Sequence, residues 1–354
     1  MPGLRTRSHF SPSAAGALLF GAALLSGCAA PFSSSLGETA IGGLHGDIAP
    51  VHDPAILQVD GQYVMLVTSH RGSKYAFLPV RTSHNLREWY FQGPVLKQLP
   101  DWAVQAVPGV SGIWAPDIRM VDGQTRLYYS LSRFGKNRST IGLLTNDAFD
   151  PKRPDKGWQD RGPIISSSPD DDFNAIDPNL LVDETGRHWL TFGSFWSGIK
   201  LIELDPATGL VLPDAPLHAL ARRGGEGAIE APFLFHHDHY YYLFASFDRC
   251  CRGVKSSYNV RVGRSRSVTG PYRDRDGRDM MQGGGSLVLS ADLEPDRRFK
   301  GPGHQAILRD GARDLIVYHA YDARNDGAPT LRIQRLDWSE DGWPIAHPLD
   351  NHLP

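Results

Sequence analysis

The sequence has little cysteine, little net charge and no apolar run long enough to span a bilayer comfortably. Only Cys28, Cys250 and Cys251 occur among 354 residues. With no second Cys pair, a structural zinc site lacks a ligand set. The adjacent Cys250 and Cys251 can be either a vicinal disulfide or two thiols, and an exported chain sits where disulfides persist. The formal charge of −2 gives no electrostatic case for a nucleic-acid partner and suits a neutral substrate. What the chain does have is 37 Gly and 26 Pro alongside many aromatics, the composition of many short strands and tight turns.

One plan recurs five times. VHDPAILQVDGQYVMLVT from Val51 is followed by IWAPDIRMVDGQTRLYYSLS from Ile113, AIDPNLLVDETGRHWLTFGS from Ala175, IEAPFLFHHDHYYYLFAS from Ile229 and GHQAILRDGARDLIVYHA from Gly303. Each copy has a polar or acidic residue beside a Pro (a His in the last), an apolar run, a polar turn and a second run rich in Tyr, Val, Phe and Leu. Turn residues Asp60, Asp122, Asp183, Asp238 and Asp310 are 62, 61, 55 and 72 positions apart. Repetition near sixty residues signals a propeller, array or solenoid. Asp-Gly between apolar runs is a hairpin signal, because type I′ turns need positive φ at both central residues. Sixty residues hold four strands, which fits a blade better than a solenoid rung. Trp89 with Gly93-Pro94-Val95 matches Trp158 with Gly162-Pro163-Ile164, so the repeat extends to the outer strands. The expectation is an all-β, five-bladed β-propeller over residues 47–354.

Residues 1–27 read as a signal rather than as fold: Arg5 and Arg7 lead the apolar run Ala14 to Leu25. Leu25-Ser26-Gly27-Cys28 resembles a bacterial lipobox. That resemblance implies cleavage before Cys28 and a lipid on its sulfur, with 28–46 as a small, polar tether. The mature chain is then exported and anchored to a bacterial membrane, outer membrane or cell surface, only through that lipid. It is expected to be a monomer.

Other conspicuous stretches carry bland readings. His236-His237-Asp238-His239 takes the hairpin-tip position, where neighbouring side chains diverge, so it reads as a surface turn. Asp170 to Asp172 form a solvated loop, and Gly283 to Gly285 a blade connection without the strand-to-helix context of a phosphate loop. Pro100 to Ile113 and Ser132 to Ser139 are loops at a rim, where substrate contacts collect. Asp117 follows its Pro rather than preceding it and is read as structural.

If the first strand of each unit lies innermost, Asp53, Asp177, Glu230 and His304 meet on the central axis. Two carboxyl groups flanking a bond are the equipment of glycoside hydrolysis, and a third near the acid raises its pKa by like-charge repulsion, keeping it protonated at working pH. Phe195 and Trp196 are available to stack on a sugar.

HDPAI, WAPDI, NAIDP to GSFWSGI, AIEAPF, FDRCCRGVKSSYN and GPGHQAIL together resemble glycoside hydrolase family 43, most closely its endo-1,5-α-L-arabinanases, from His52 to Trp343. The resemblance implies inverting hydrolysis of internal α-1,5 links in arabinan or arabino-oligosaccharides. It makes Asp53 the general base, Glu230 the general acid and Asp177 the residue that tunes the acid and orients substrate. His304 matches a histidine that holds a central calcium, mostly through waters. Phe134, Gly135, Asn174, Ala175, Ile176, Ser194, Phe195 and Trp196 match positions lining the sugar subsites. An exo-acting α-L-arabinofuranosidase or β-xylosidase would share the same acids. A non-catalytic sugar-binding propeller is the alternative of another class.

Overall fold

The computed structural model describes residues 43–69, 77–225, 227–293 and 296–348. The expected signal segment, and the tether up to residue 42, lie outside them. Twenty of the strands form five four-stranded antiparallel meanders, each a blade. Blade 1 comprises Ala55–Val59, Gln62–Leu66, Phe77–Ser83 and Glu88–Leu96; blade 2, Trp114–Val121, Gln124–Leu131, Ser139–Asn146 and Gln159–Ser167. Blade 3 comprises Asn179–Val182, His188–Phe192, Ile199–Leu204 and His218–Ala221; blade 4, Ile229–His237, Tyr240–Phe247, Asn259–Ser265 and Ser286–Leu289. Blade 5 is Phe299–Asp310, Arg313–Asp322, Ala328–Trp338 and Pro344–Pro348. First strands of successive blades touch one another in a closed ring, blade 5 returning to blade 1. The first strands therefore line the hub, as expected of a five-bladed propeller.

The hairpin turns follow the sequence in part. Asp60 and Gly61 sit at φ 48 and 74, Asp122 and Gly123 at 49 and 80, so both are I′-type pairs. In blade 3 the turn is longer. There Asp183 Oδ1 accepts from the N–H of Thr185 at 2.9 Å and of Arg187 at 3.1 Å, while Oδ2 accepts from Trp189 Nε1 at 2.8 Å. In blade 5 the strands end at Asp310 and resume at Arg313, so the loop is Gly311 and Ala312.

Apolar side chains fill the wedges between blades. Val64, Leu66 and Val80 of blade 1 pack with Leu127, Tyr129 and Leu144 of blade 2, and Leu243 and Phe247 of blade 4 with Leu201 and Leu220 of blade 3. Removing each such side chain from water stabilises the ring by about 1.5–3 kcal/mol. Trp89 is fully buried, and Trp158 packs on Phe149 at 5.2 Å.

The chain enters this fold earlier than the boundary at 47. Leu44 is buried, and His45–Gly46 pairs in parallel with Glu88 and Trp89 at the outer edge of blade 1. Only glycine fits at 46: φ is 81, and a Cβ would meet Trp89 O at 2.3 Å. The next residues stitch the first blade to the last. Val51 N–H donates to Pro329 O and Leu331 N–H to Ile48 O, both at 2.9 Å, while Arg81 of blade 1 donates to Asp47 O and Pro50 O. No helix among the described residues is long and apolar enough to cross a membrane.

Candidate active site

Each blade enters the hub through a residue in left-handed conformation: Asp53 (φ 53), Ala115 (φ 46), Asp177 (φ 60), Ala231 (φ 53) and His304 (φ 50). For an L-residue this costs roughly 1–2 kcal/mol, and such strain persists only where surroundings over-determine it. Here the surroundings are a ring of hydrogen bonds. The N–H of Ala115 donates to Thr68 Oγ1 (2.8 Å), that of Asp177 to Ser130 Oγ (3.0 Å), that of His304 to Ser246 Oγ (2.8 Å) and that of Asp53 to His319 Nδ1 (3.2 Å). Each acceptor comes from the preceding blade, in the last few residues of its second strand or, for Thr68, just past it.

Blade 3 breaks the pattern. Gly193 there bonds back to Ile176 O, as Thr68 does to His52 O in blade 1. A Cβ on Gly193 would meet Gly198 O at 2.4 Å, so no side chain fits. The Ala231 N–H, lacking a hydroxyl partner, donates instead to the Asp177 carboxylate at 3.1 Å. This is why Asp177 reaches across to blade 4.

Glu230 stands one residue before the equivalent hub position, which is Ala231, so the three acids do not share one register. A β-bulge between Glu230 and Phe233 still turns its side chain inward. There Glu230 Oε2 accepts from Ser194 Oγ and Oε1 from Tyr258 Oη, both at 2.6 Å. Asp53, Asp177 and Glu230 are 7, 7 and 8 % exposed. All three act electrostatically on His304 of blade 5, so acids far apart in sequence are gathered at one place.

Their environments differ. Burial pushes the Asp53 carboxyl up, but His304 and His52 outweigh it and hold it well below the usual carboxylate range. His52 Nδ1 and His304 Nδ1 lie 2.7 and 2.9 Å from Asp53 Oδ1, and Thr68 Oγ1 donates to Oδ2 at 2.5 Å. Burial pushes Asp177 up to about 8; His304 opposes this, while Glu230 and Asp53 add to it. The like-charge effect expected on the acid here acts on Asp177, the residue read as tuning that acid. For His304 burial works downward, and the carboxylates, Asp53 foremost, carry it up to about 9.

Around these groups Asn174, Ala175 and Ile176 are buried just ahead of Asp177, with Asn174 Oδ1 lacking a hydrogen-bond partner. Phe195 and Trp196 stand at φ 56 and 39, and Trp196 is half exposed. Phe134 is 80 % exposed, beside Gly135 at φ 72. Ser194, expected to line a sugar subsite, donates its hydroxyl to Glu230. Asp117 is turned to neighbouring blade 3, accepting from Leu180 N–H at 2.8 Å and Asn179 Nδ2 at 3.2 Å. His236 faces Glu184 at 3.3 Å and His237 stacks on Trp338 at 3.8 Å, so the hairpin-tip histidines diverge. Cys250 and Cys251 are disulfide-bonded.

Sequence reasoning missed His52, Thr68, Tyr258, His319 and Tyr321. A signal for some existed: Thr68, Ser130 and Ser246 each fall eight residues after the hairpin Asp, and His319 nine after Asp310.

Similar proteins carry the same architecture. The chain is 39 % identical over 341 residues to the extracellular endo-α-(1→5)-L-arabinanase 1 of Bacillus subtilis, covering 95 % of this chain and 96 % of that one. It is 39 % identical over 308 residues to the extracellular exo-α-(1→5)-L-arabinofuranosidase ArbA of Cellvibrio japonicus, covering 83 and 85 %. Among solved structures, the endo-arabinanase of Bacillus licheniformis superposes with a TM-score of 0.77 at 41 % identity, covering 85 % of this chain and 99 % of that one. The profile of glycosyl hydrolases family 43 matches residues 49–344, and the chain belongs to that family.

Proposed function

We propose that the protein hydrolyses internal α-1,5-arabinofuranosidic links in arabinan with inversion. The observation that carries this reading is the convergence of Asp53, Asp177 and Glu230 around His304, in a chain so similar to endo-arabinanases. Asp53, kept ionised by the imidazoles of His52 and His304, takes a proton from the attacking water. Glu230 protonates the departing sugar oxygen. Asp177, pushed up to about 8, holds a proton near neutral pH and so orients substrate without adding a third negative charge. Glu230→Ala should cut the rate on arabinan by about 10²–10⁴-fold, yet spare an aryl arabinofuranoside whose leaving group needs no proton. Equal losses on both would remove Glu230 as the acid.

The relative named as an exo-arabinofuranosidase is as similar in identity as the endo-acting one. An exo mode with the same acids is therefore the second reading. Early products from debranched arabinan separate the two: mixed oligomers for endo cleavage, a single small product for exo cleavage.

His304 fits a calcium site. Asp53 Oδ1 lies 2.9 Å from its Nδ1 and would keep a proton there, so calcium would bind in place of the Nε2 proton that the ring, carried up to about 9, otherwise holds. Waters would complete the oxygen-rich shell that calcium requires. Bound there, calcium would supply positive charge beside Asp53, Asp177 and Glu230. Loss of activity in chelator, restored by calcium and not by magnesium, tests it. The relatives named extracellular support export; the lipid on Cys28 rests on the lipobox resemblance alone, and a mature mass without acyl chains would remove the anchor.

A further inference from the structure

The Cys250–Cys251 disulfide lies in the loop between Tyr240–Phe247 and Asn259–Ser265 of blade 4. A string of contacts leads from it across blade 5 to blade 1. Cys251 N–H donates to Tyr321 Oη at 2.8 Å, Tyr321 Oη lies 2.9 Å from His52 Nε2, and His52 Nδ1 lies 2.7 Å from Asp53 Oδ1. Cys251 Sγ itself rests 3.8 Å from His52 Nε2. The contacts run unbroken from the loop to the carboxylate: Cys251 N–H donates to Tyr321 Oη, Tyr321 Oη hydrogen-bonds His52 Nε2, and His52 Nδ1 meets Asp53. Such chains strengthen bond by bond. The rings are also locked by packing, since His52 stacks on buried His319 at 3.8 Å and Tyr321 meets it edge-on at 5.4 Å.

We propose that the Cys250–Cys251 loop is a redox-sensitive positioning element for the Asp53 carboxylate, acting through Tyr321 and His52. It rests on Asp53 being the base. A dithiol reductant passes two electrons and two protons to the sulfurs; the S–S bond breaks, two thiols form, and the reductant closes to its own disulfide. The ring through the Cys250–Cys251 peptide opens, and the Cys251 N–H loses the constraint that aims it at Tyr321. Slackening that string lets His52 and Asp53 drift from the geometry the attacking water needs.

The test combines a dithiol reductant with Tyr321→Phe, which keeps the ring on His319 and removes only the hydroxyl. Thiol titration confirms reduction, Cys250→Ser with Cys251→Ser reproduces the reduced loop without reductant, and melting curves give the folded fraction. Expected is a fall in kcat of about ten- to hundredfold per folded chain, as misplacement of a catalytic group brings, with KM within about twofold. The fall should be reversed by reoxidation and absent when Tyr321→Phe is reduced, because both changes cut one string. Equal further loss on reducing the variant, or native kcat in both the reduced enzyme and Tyr321→Phe, overturns the proposal. Asp53→Asn distinguishes the failures: if it keeps native activity the base assignment falls, and if it alone loses activity only the positioning role falls.

Discussion

Asp53 and Asp177 occupy equivalent places in blades 1 and 3. Both stand at the hub in left-handed conformation, φ 53 and 60, both precede a Pro, and both are 7 % exposed. Yet one is held well below the carboxylate range and the other is pushed up to about 8. Burial penalises both charges alike, so neighbours decide. Asp53 faces His52 and His304 and accepts from Thr68. Asp177 feels His304 as well, but has the Ala231 N–H as its donor and two other carboxylates beside it, and burial wins. Pseudo-symmetry places the acids, and departures from that symmetry give each its protonation state.

The sharpest way to break this comparison is to remove the charge that the imidazoles hold. Asp53→Asn should lower kcat on arabinan by about 10²–10⁴-fold, the range for a lost general base. If the matching change at Asp177 costs as much in kcat and nothing in KM, the two acids are not divided as argued.

The second contrast concerns stability, measured as melting temperature against pH in excess chelator. Asp177 has its folded pKa above the unfolded value of about 3.9. Its contribution is fully present below that value and is lost as pH rises toward about 8. Asp177→Asn should therefore melt near the native enzyme at pH 4 and increasingly above it as pH rises to 9. Asp53 carries the opposite sign: its depressed pKa gives stability that is present above about 3.9 and lost as pH falls. Asp53→Asn should melt below the native enzyme at neutral pH, with the gap closing toward pH 2. Parallel curves for the two variants would contradict the assignment.

How far these differences could be read in advance follows from their range. The five-bladed ring was legible because Asp60, Asp122, Asp183, Asp238 and Asp310 recur at near-constant spacing, and hairpin signals are local. Asp53, Asp177, Glu230 and His304 followed by placing the leader of each repeat at the axis. The register of Glu230 did not, because the bulge that turns it inward depends on pairing with the next strand. His52, Tyr258 and Tyr321 were hidden for a related reason. Their roles come from contacts across blades, such as Tyr258 to Glu230 and Tyr321 to His52, and no period within one repeat announces them. The early start of the fold at Leu44 was missed because its strand borrows an edge forty residues away.

Blade 2 supplies the mildest perturbation. Its hub residue is Ala115, and its carboxylate stands two positions on, at Asp117, bonded to Leu180 N–H and Asn179 Nδ2. That acid joins inner strands, and His304 of the hub reaches it only electrostatically. Removing it with Asp117→Ala strands a buried N–H, at a cost of about 1–3 kcal/mol. Melting should register that loss, while kcat per folded chain stays within about twofold of native, since the hub keeps its three acids and Thr68 still bridges Asp53 to the Ala115 N–H. A large loss of kcat with an unchanged melting curve would place Asp117 among the groups that act on substrate, and the division between stapling and chemical carboxylates would have to be redrawn.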